Sequence, residues 1–296
     1  MSELIRVSNV SKSYGQFQAL HNVSFDIKAG QVLGLLGHNG AGKSSLITAM
    51  LGGHSYEGSI NILGCEPRKE REKMMRELSY ISDVSVLPGW MKVSALIRYM
   101  SGVHSSFNKE AALERLSTTD IPLKAKVQSL SKGMKVQLHL ALVMATDCKV
   151  LILDEPTLGL DLMYRERFYR ELLEWFHDGE RALVIASHEV SEIEHLLTDV
   201  IFLKQGNVVL QSDLESLNTK YVQLTAKGDN AVAASQLTPL SMKQGLGSVQ
   251  MIFNSEKREV IEPLGELSSI RLAELFVALQ MSETVASDEE SAEGIA

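Results

Sequence analysis

Gly37, Gly42, Lys43 and Ser44 stand in the run GHNGAGKS, with the spacing G-x-x-x-x-G-K-S. Those residue types at that spacing make a cradle for a chain of phosphates. Successive backbone N–H groups wrap a β-phosphate, the lysine ammonium reaches the β and γ oxygens, and the serine hydroxyl is a hard oxygen ligand for Mg²⁺. A second set lies far downstream. Asp154 closes the apolar run VLILD, where a carboxylate at the carboxyl edge of a sheet meets Mg²⁺. Glu155 follows at once. In a continuing strand its side chain would point away, but where the strand ends both carboxylates face one site, and Glu155 then orients and deprotonates an attacking water. His188 follows the run ALVIAS and emerges at the same sheet edge, within reach of a γ-phosphate and that water.

A third set is the stretch SLSKGM. Ser131 suits a helix N-cap, and Gly133 lets a bulky group approach the backbone. Such a helix start attracts anions, and Lys132 adds a positive charge there. The chain therefore carries two phosphate-seeking places, almost ninety residues apart.

The elements that must position these residues alternate. QVLGLLG reads as a buried strand feeding the phosphate loop, and Leu46, Ile47, Ala49, Met50 and Leu51 as a helix leaving it. Residues 4–10 and 20–27 alternate apolar and polar as half-buried strands do, and GSINILG and LSYISD read as further strands. Residues 92–146 are helical by pattern, with Leu96, Ile97 and Met100 on one face and Ala112, Leu113 and Leu116 on another. VLILD is apolar on both faces, as parallel sheets require. A helix with Phe168, Leu172, Leu173 and Phe176 follows, then the strand ALVIAS, a short helix at 190–197 and the strand DVIFLK. Strand–helix alternation of this kind predicts a parallel α/β sheet over residues 3–217. Residues 221–282 read as a small α+β appendage, with strands YVQLTA and SVQMIFN and an amphipathic helix capped near Ser268. Residues 283–296 hold five acidic residues and no basic one and read as a disordered tail.

The net charge of −8 argues against nucleic-acid binding through a basic surface. Cys65 and Cys148 fit a reducing compartment and lack metal-site spacing. No window approaches the roughly 18 apolar residues of a membrane span, and the first residues lack the apolar core of a signal peptide. The expectation is a cytoplasmic chain that meets a membrane only through a partner.

Four motifs in this order resemble the ATP-binding subunit of an ABC transporter. The likeness covers roughly residues 3–217. It implies a P-loop NTPase fold of the ABC type with a helical subdomain at about 92–146, and ATP and Mg²⁺ as cofactors. Gly37, His38, Asn39, Gly40, Ala41, Gly42, Lys43, Ser44 and Ser45 match the family's phosphate loop, and Tyr14 in KSYG its adenine-stacking aromatic. LSKGM matches the signature L-S-G-G-Q, LILDEP the strand bearing the metal and catalytic carboxylates, and His188 the switch histidine. Gly159 to Asp161 match the loop that meets a partner subunit. The resemblance also implies why there are two phosphate-seeking places. Two cassettes, here two copies of this chain, pair head to tail, and Ser131 and Gly133 of each cap the ATP in the other's loop. An integral-membrane permease is the other implied partner, holding the chain at the inner face of the cell membrane.

Lys132 and Met134 depart from the signature; Lys132 either adds a contact to the partner's nucleotide or points to solvent. Asp83 stands where the family usually has glutamine, and it too can ligate Mg²⁺ or its water. Pro88, Gly89 and Trp90 form a turn whose tryptophan either faces the permease or enters a core. The departures and the small appendage resemble drug- or antibiotic-export cassettes. An importer cassette, or a soluble ABC ATPase acting on ribosomes or nucleic acid, is the alternative.

Overall fold

Alternating apolar residues make the first two strands half-buried. In β1 (Glu3–Tyr14), Ile5, Val7 and Val10 face inward; in β2 (Phe17–Lys28), Leu20, Val23, Phe25 and Ile27 do. The computed structural model describes residues 2–82, 87–177 and 179–281. β3 (Val32–Leu36) and α1 (Lys43–Met50) follow, and β4 (Glu57–Ile62) returns to pair with β1, giving an antiparallel sheet in the order β2-β1-β4.

A short helix, α2 (Arg71–Met74), leads to β5 (Leu78–Ser82). Three helices then build a core of their own: α3 (Val93–Val103), α4 (Lys109–Ser117) and α5 (Lys132–Met144). Val93, Leu96, Ile97, Leu116, Leu138 and Leu142 pack together there, as the helical periodicity predicts. Asn108 caps α4 by accepting the Ala111 N–H at 3.0 Å, which fixes where that helix begins.

β6 (Val150–Asp154) and β7 (Ala182–Ser187) are buried along their whole length, and α6 (Leu162–Phe176) connects them. β8 (Asp199–Lys204) completes a set of parallel strands in the order β5-β6-β7-β3-β8. Strands apolar on both faces belong in such a covered parallel sheet. α6 does not bury all of its apolar residues. Phe168, Tyr169, Leu172 and Trp175 are buried, whereas Leu173 is exposed and Phe176 only partly covered. The helix carries more apolar residues than one face can hold. Tyr169 wins its place with a 2.9 Å hydrogen bond to Thr157, and Trp175 with the Arg181 guanidinium 4.7 Å from its ring centre.

The chain divides into two compact units, residues up to 188 with 196–208, and residues 189–195 with those from 209 on. The sequence reading placed the boundary at 217. By internal contacts the first unit ends at Val208, inside β9 (Asn207–Asp213), a strand that runs on into the second.

The second unit contains α7 (Val190–Ile193), α8 (Leu214–Lys220), β10 (Tyr221–Ala226), α9 (Gly228–Ser235), β11 (Ser241–Gln244), β12 (Val249–Asn254), α10 (Arg258–Ile261), β13 (Glu266–Ser268) and α11 (Leu272–Met281). Its antiparallel sheet has the order β11-β12-β10-β13. Val222, Leu224, Met251 and Phe253 pack with Ala231, Ala234 and Ile261 into a separate core. Ser268 ends β13 and does not cap the last helix; it pairs with Gln223, so its backbone belongs to the sheet. The acidic stretch from residue 283 and Asp83 both lie outside the described residues.

Candidate functional site

Strand order decides what meets. β6, β7 and β3 are consecutive in the sheet and parallel, so the residues after their carboxyl ends emerge side by side. Those are the phosphate loop after Leu36, the pair Asp154 and Glu155, and Ser187 with His188. A cleft of about 530 Å³ lies there, lined by every residue from His38 to Ser45 and by Asp154, Glu155 and His188.

The loop enters α1 through Gly42, whose φ of 109° is in the left-handed region and whose side chain cannot cap the helix. A β-carbon there would sit 2.7 Å from the Ala19 carbonyl oxygen, so only glycine fits. The first N–H groups of α1 have no side-chain cap, which is what an anion site at a helix start requires. Lys43 is 5% exposed, and its ammonium donates to the Gly37 carbonyl at 2.5 Å and the His38 carbonyl at 3.4 Å. Burial lowers the pKa of that ammonium below the usual lysine range; Glu155 and then Asp154 oppose the shift.

The Ser44 hydroxyl donates to Asp154 Oδ2 at 3.3 Å. Hydroxyl and carboxylate, both hard oxygen donors, thus converge below the loop, which suits Mg²⁺ bound with the help of substrate oxygens. Among the described residues, no cluster of three or more His, Cys, Asp or Glu assembles a metal site. Glu155 has φ 49°, uncommon for a residue with a β-carbon. The strand does end at Asp154, and the turn swings Glu155 into the cleft. Its N–H is held by the Ala186 carbonyl at 3.0 Å. One carboxylate oxygen, Oε1, lies 2.8 Å from His188 Nδ1 and 3.5 Å from Lys43 Nζ, and Ser187 Oγ donates to Oε2 at 3.4 Å. The arrangement leaves room beside the loop for a chain of phosphates, and it places a carboxylate between an imidazole and a buried ammonium.

The second phosphate-seeking place does not line this cleft. Ser131 Oγ caps α5 by accepting the Met134 N–H at 3.2 Å, leaving its own O–H to donate elsewhere. The group that approaches Gly133 is Tyr164: a β-carbon on Gly133 would lie 2.8 Å from the ring. Asp161 caps α6, accepting the Tyr164 N–H at 3.1 Å. Lys132 is exposed, with its ammonium 3.1 Å from where a β-carbon on Gly159 would be. Beside this surface Leu162 and Met163 are exposed apolar residues, and Trp90 is exposed too, not core.

Tyr14 is not among the residues lining the cleft. Its ring meets His54 edge-on at 5.7 Å, with the Lys12 ammonium 4.8 Å from its centre. Phe17, Ala19 and Leu158 do line the cleft, and sequence reasoning missed all three. The available signal for Phe17 was an aromatic at the outward start of a strand, just past the glycine turn.

Residues 20–158 match the family described as ABC transporter. A lantibiotic transport ATP-binding protein, SrtF of Streptococcus pyogenes, is 34% identical over 219 residues, covering 72% of this chain and 92% of SrtF. An ABC transporter ATP-binding protein of Bacillus subtilis, YtrB, is 26% identical over 287 residues, covering 93% of this chain and 97% of YtrB. The solved structure of an ATP-binding subunit of an ABC transporter superposes with a TM-score of 0.66 at 24% identity, covering 73% of this chain and 92% of that one.

Proposed function

The chain belongs to the ABC transporter family as an ATP-binding, ATP-hydrolysing subunit, and on that premise we propose that it powers an export permease, two copies closing around two ATP. Likeness to a lantibiotic transport protein over nearly all of that protein's length supports export. The observation that carries the reading is the meeting of Glu155 with both Lys43 and His188 at the mouth of the phosphate loop.

The residues take the following roles. Backbone N–H groups from His38 to Ser45 wrap the phosphates, and Lys43 neutralises the β and γ oxygens. Ser44 and Asp154 are the donors that would hold Mg²⁺, which when bound draws off phosphate charge. Glu155 accepts the proton of the attacking water, and His188 holds the Glu155 carboxylate in place at 2.8 Å. Ser131 of one copy donates its free O–H to the γ-phosphate held by the other, and Asp161, Leu162 and Met163 lie at the joint between copies. No helix of the described residues is long and apolar enough to cross a membrane, so the permease supplies the spans and holds this chain at the membrane's inner face. The exposed Trp90 is the contact proposed for it.

Glu155→Gln keeps shape and hydrogen bonding but removes the base. ATP turnover should fall by about 100-fold or more, while ATP binding persists and a closed pair accumulates on size exclusion. Hydrolysis at the unmodified rate would overturn the role assigned to Glu155.

A further inference from the structure

His188 is the last residue before the chain changes units. Ahead of it, Ser187 ends β7 and pairs with Leu36 in the parallel sheet of the first unit. Behind it, Glu189–His195 pack with the second unit, and the first unit resumes only at Leu196. The imidazole that lies 2.8 Å from Glu155 therefore stands where the chain leaves on a short excursion. That excursion holds α7, a single turn from Val190 to Ile193 with no side-chain cap. Isolated helices below about a dozen residues are marginal in water, so the place of α7 is set by what it packs on. Val190 and Ile193, three residues apart on one face, are buried, and within the second unit α7 packs against α11. α11 in turn buries Leu275, Phe276 and Leu279 and leaves Val277 exposed.

We propose that α11, by holding α7, positions His188 for hydrolysis, with Ile193 and Leu275 as positioning residues. The inference rests on the reading of Glu155 and His188 as the pair that serves hydrolysis. It extends that reading to a unit outside the cleft, whose lining residues all belong to the first unit. Phosphate binding draws on the loop and Lys43, which follow β3. Only the imidazole is joined directly to α7. Loosening α11 should therefore slow turnover and spare ATP affinity.

The test is steady-state hydrolysis and equilibrium binding of Mg-ATP by the full chain with Leu275→Ala, Leu275→Met, Ile193→Val or Val277→Ala. His188→Ala is measured alongside. The ring signal of His188, assigned in histidine-labelled protein by its absence in His188→Ala, is followed by NMR. Leu275→Ala should lower kcat by about 10-fold, since a misplacement of about 1 Å costs up to about 100-fold. ATP affinity should stay within about 2-fold, because the lost interaction serves the reaction and not binding. Leu275→Met keeps the volume and should recover most of the turnover. Val277→Ala, on the exposed face of the same helix, should change nothing. Ile193→Val removes one methylene and keeps the fold; it should lower kcat by about 2-fold and shift the His188 signal, leaving that of His139 in place. Unchanged kcat in folded Leu275→Ala, an unmoved His188 signal in Ile193→Val, or a parallel loss of ATP affinity would each overturn the proposal. The Ile193→Val signal decides even where Leu275→Ala does not fold. If His188→Ala hydrolyses ATP at the unmodified rate, the reading of His188 fails and takes this inference with it. A slow His188→Ala beside a fully active, folded Leu275→Ala sinks this inference alone.

Discussion

Two helices of the first unit begin beside glycines, and they begin differently. At α1 the first N–H groups have no side-chain cap, because Gly42 in a left-handed conformation has none to offer. At α5 the Ser131 hydroxyl already accepts an N–H, and Gly133 is covered by the Tyr164 ring. The first start is left open for a ligand that lies along its own chain. The second is finished as local structure, with Ser131 and Lys132 exposed at its start. A helix start that satisfies itself can still meet a phosphate, but only one presented from outside. The head-to-tail pairing proposed above would supply such a phosphate.

The sharpest way to break this comparison is to damage each start in a different copy. Lys43→Ala spoils the cradle and Ser131→Ala the outward hydroxyl, and each homodimer should lose ATPase activity by about 10-fold or more, the worth of a charge-assisted hydrogen bond. Mixing the two should restore activity, since one site then combines an intact cradle with an intact cap. A verified mixed pair without recovery would mean that α5 serves its own chain only.

Acid distinguishes the helices too. α5 carries His139, whose imidazole is pushed by burial from 6.5 down to about 4. The unfolded chain then takes up a proton below pH 6.5 that the folded chain refuses until about pH 4, so stability is full above that window and lost as pH falls through it. The ceiling on this loss is about 3 kcal/mol, a ceiling because His139 is only partly covered. Denaturant midpoints measured between pH 7 and 4 should fall steeply for the unmodified chain and less for His139→Gln; parallel slopes would remove the imidazole from the account. Lys43 in α1 has the same sign at the other end of the scale. Its burial penalty eases only as pH rises toward the lysine range.

The smallest effect sharpens the role of Tyr164. Gly133→Ala forces a methyl against the ring and should cost about 1–2 kcal/mol of stability, the lower part of the range for overpacking. Tyr164→Leu in the same chain should recover most of it. Full stability of Gly133→Ala by chemical denaturation would show that the ring yields freely and that glycine there serves another purpose.

How much of this was legible beforehand follows from where each signal is written. The phosphate loop, the Asp154–Glu155 pair and the cap at Ser131 are local patterns, complete within a few residues, and the parallel sheet follows from strands apolar on both faces. Phe17 is different, because its place in the cleft depends on β2 running against Gly42, a contact that neither stretch announces. The partner of Gly133 is a ring on another helix, so the sequence could show the need for a close approach but not what approaches. In α6 the apolar residues outnumber the places on one face, and a hydroxyl pair with Thr157 selects Tyr169 over Leu173. The unit boundary lies inside a single strand, β9, so no turn or linker marks it.

The strand order has a consequence for synthesis. β7 lies between β3 and β6, yet it is made after both. A nascent chain that has emerged through Asp154 already holds the phosphate loop and the first carboxylate, but the strand that joins them is still inside the ribosome. Until Ser187 is out, the apolar edges of β3 and β6 that β7 will join wait unpaired, the condition in which chains associate wrongly. The ATP site thus forms late within the first unit, and a message truncated before β7 would yield a sticky fragment in place of a weak enzyme.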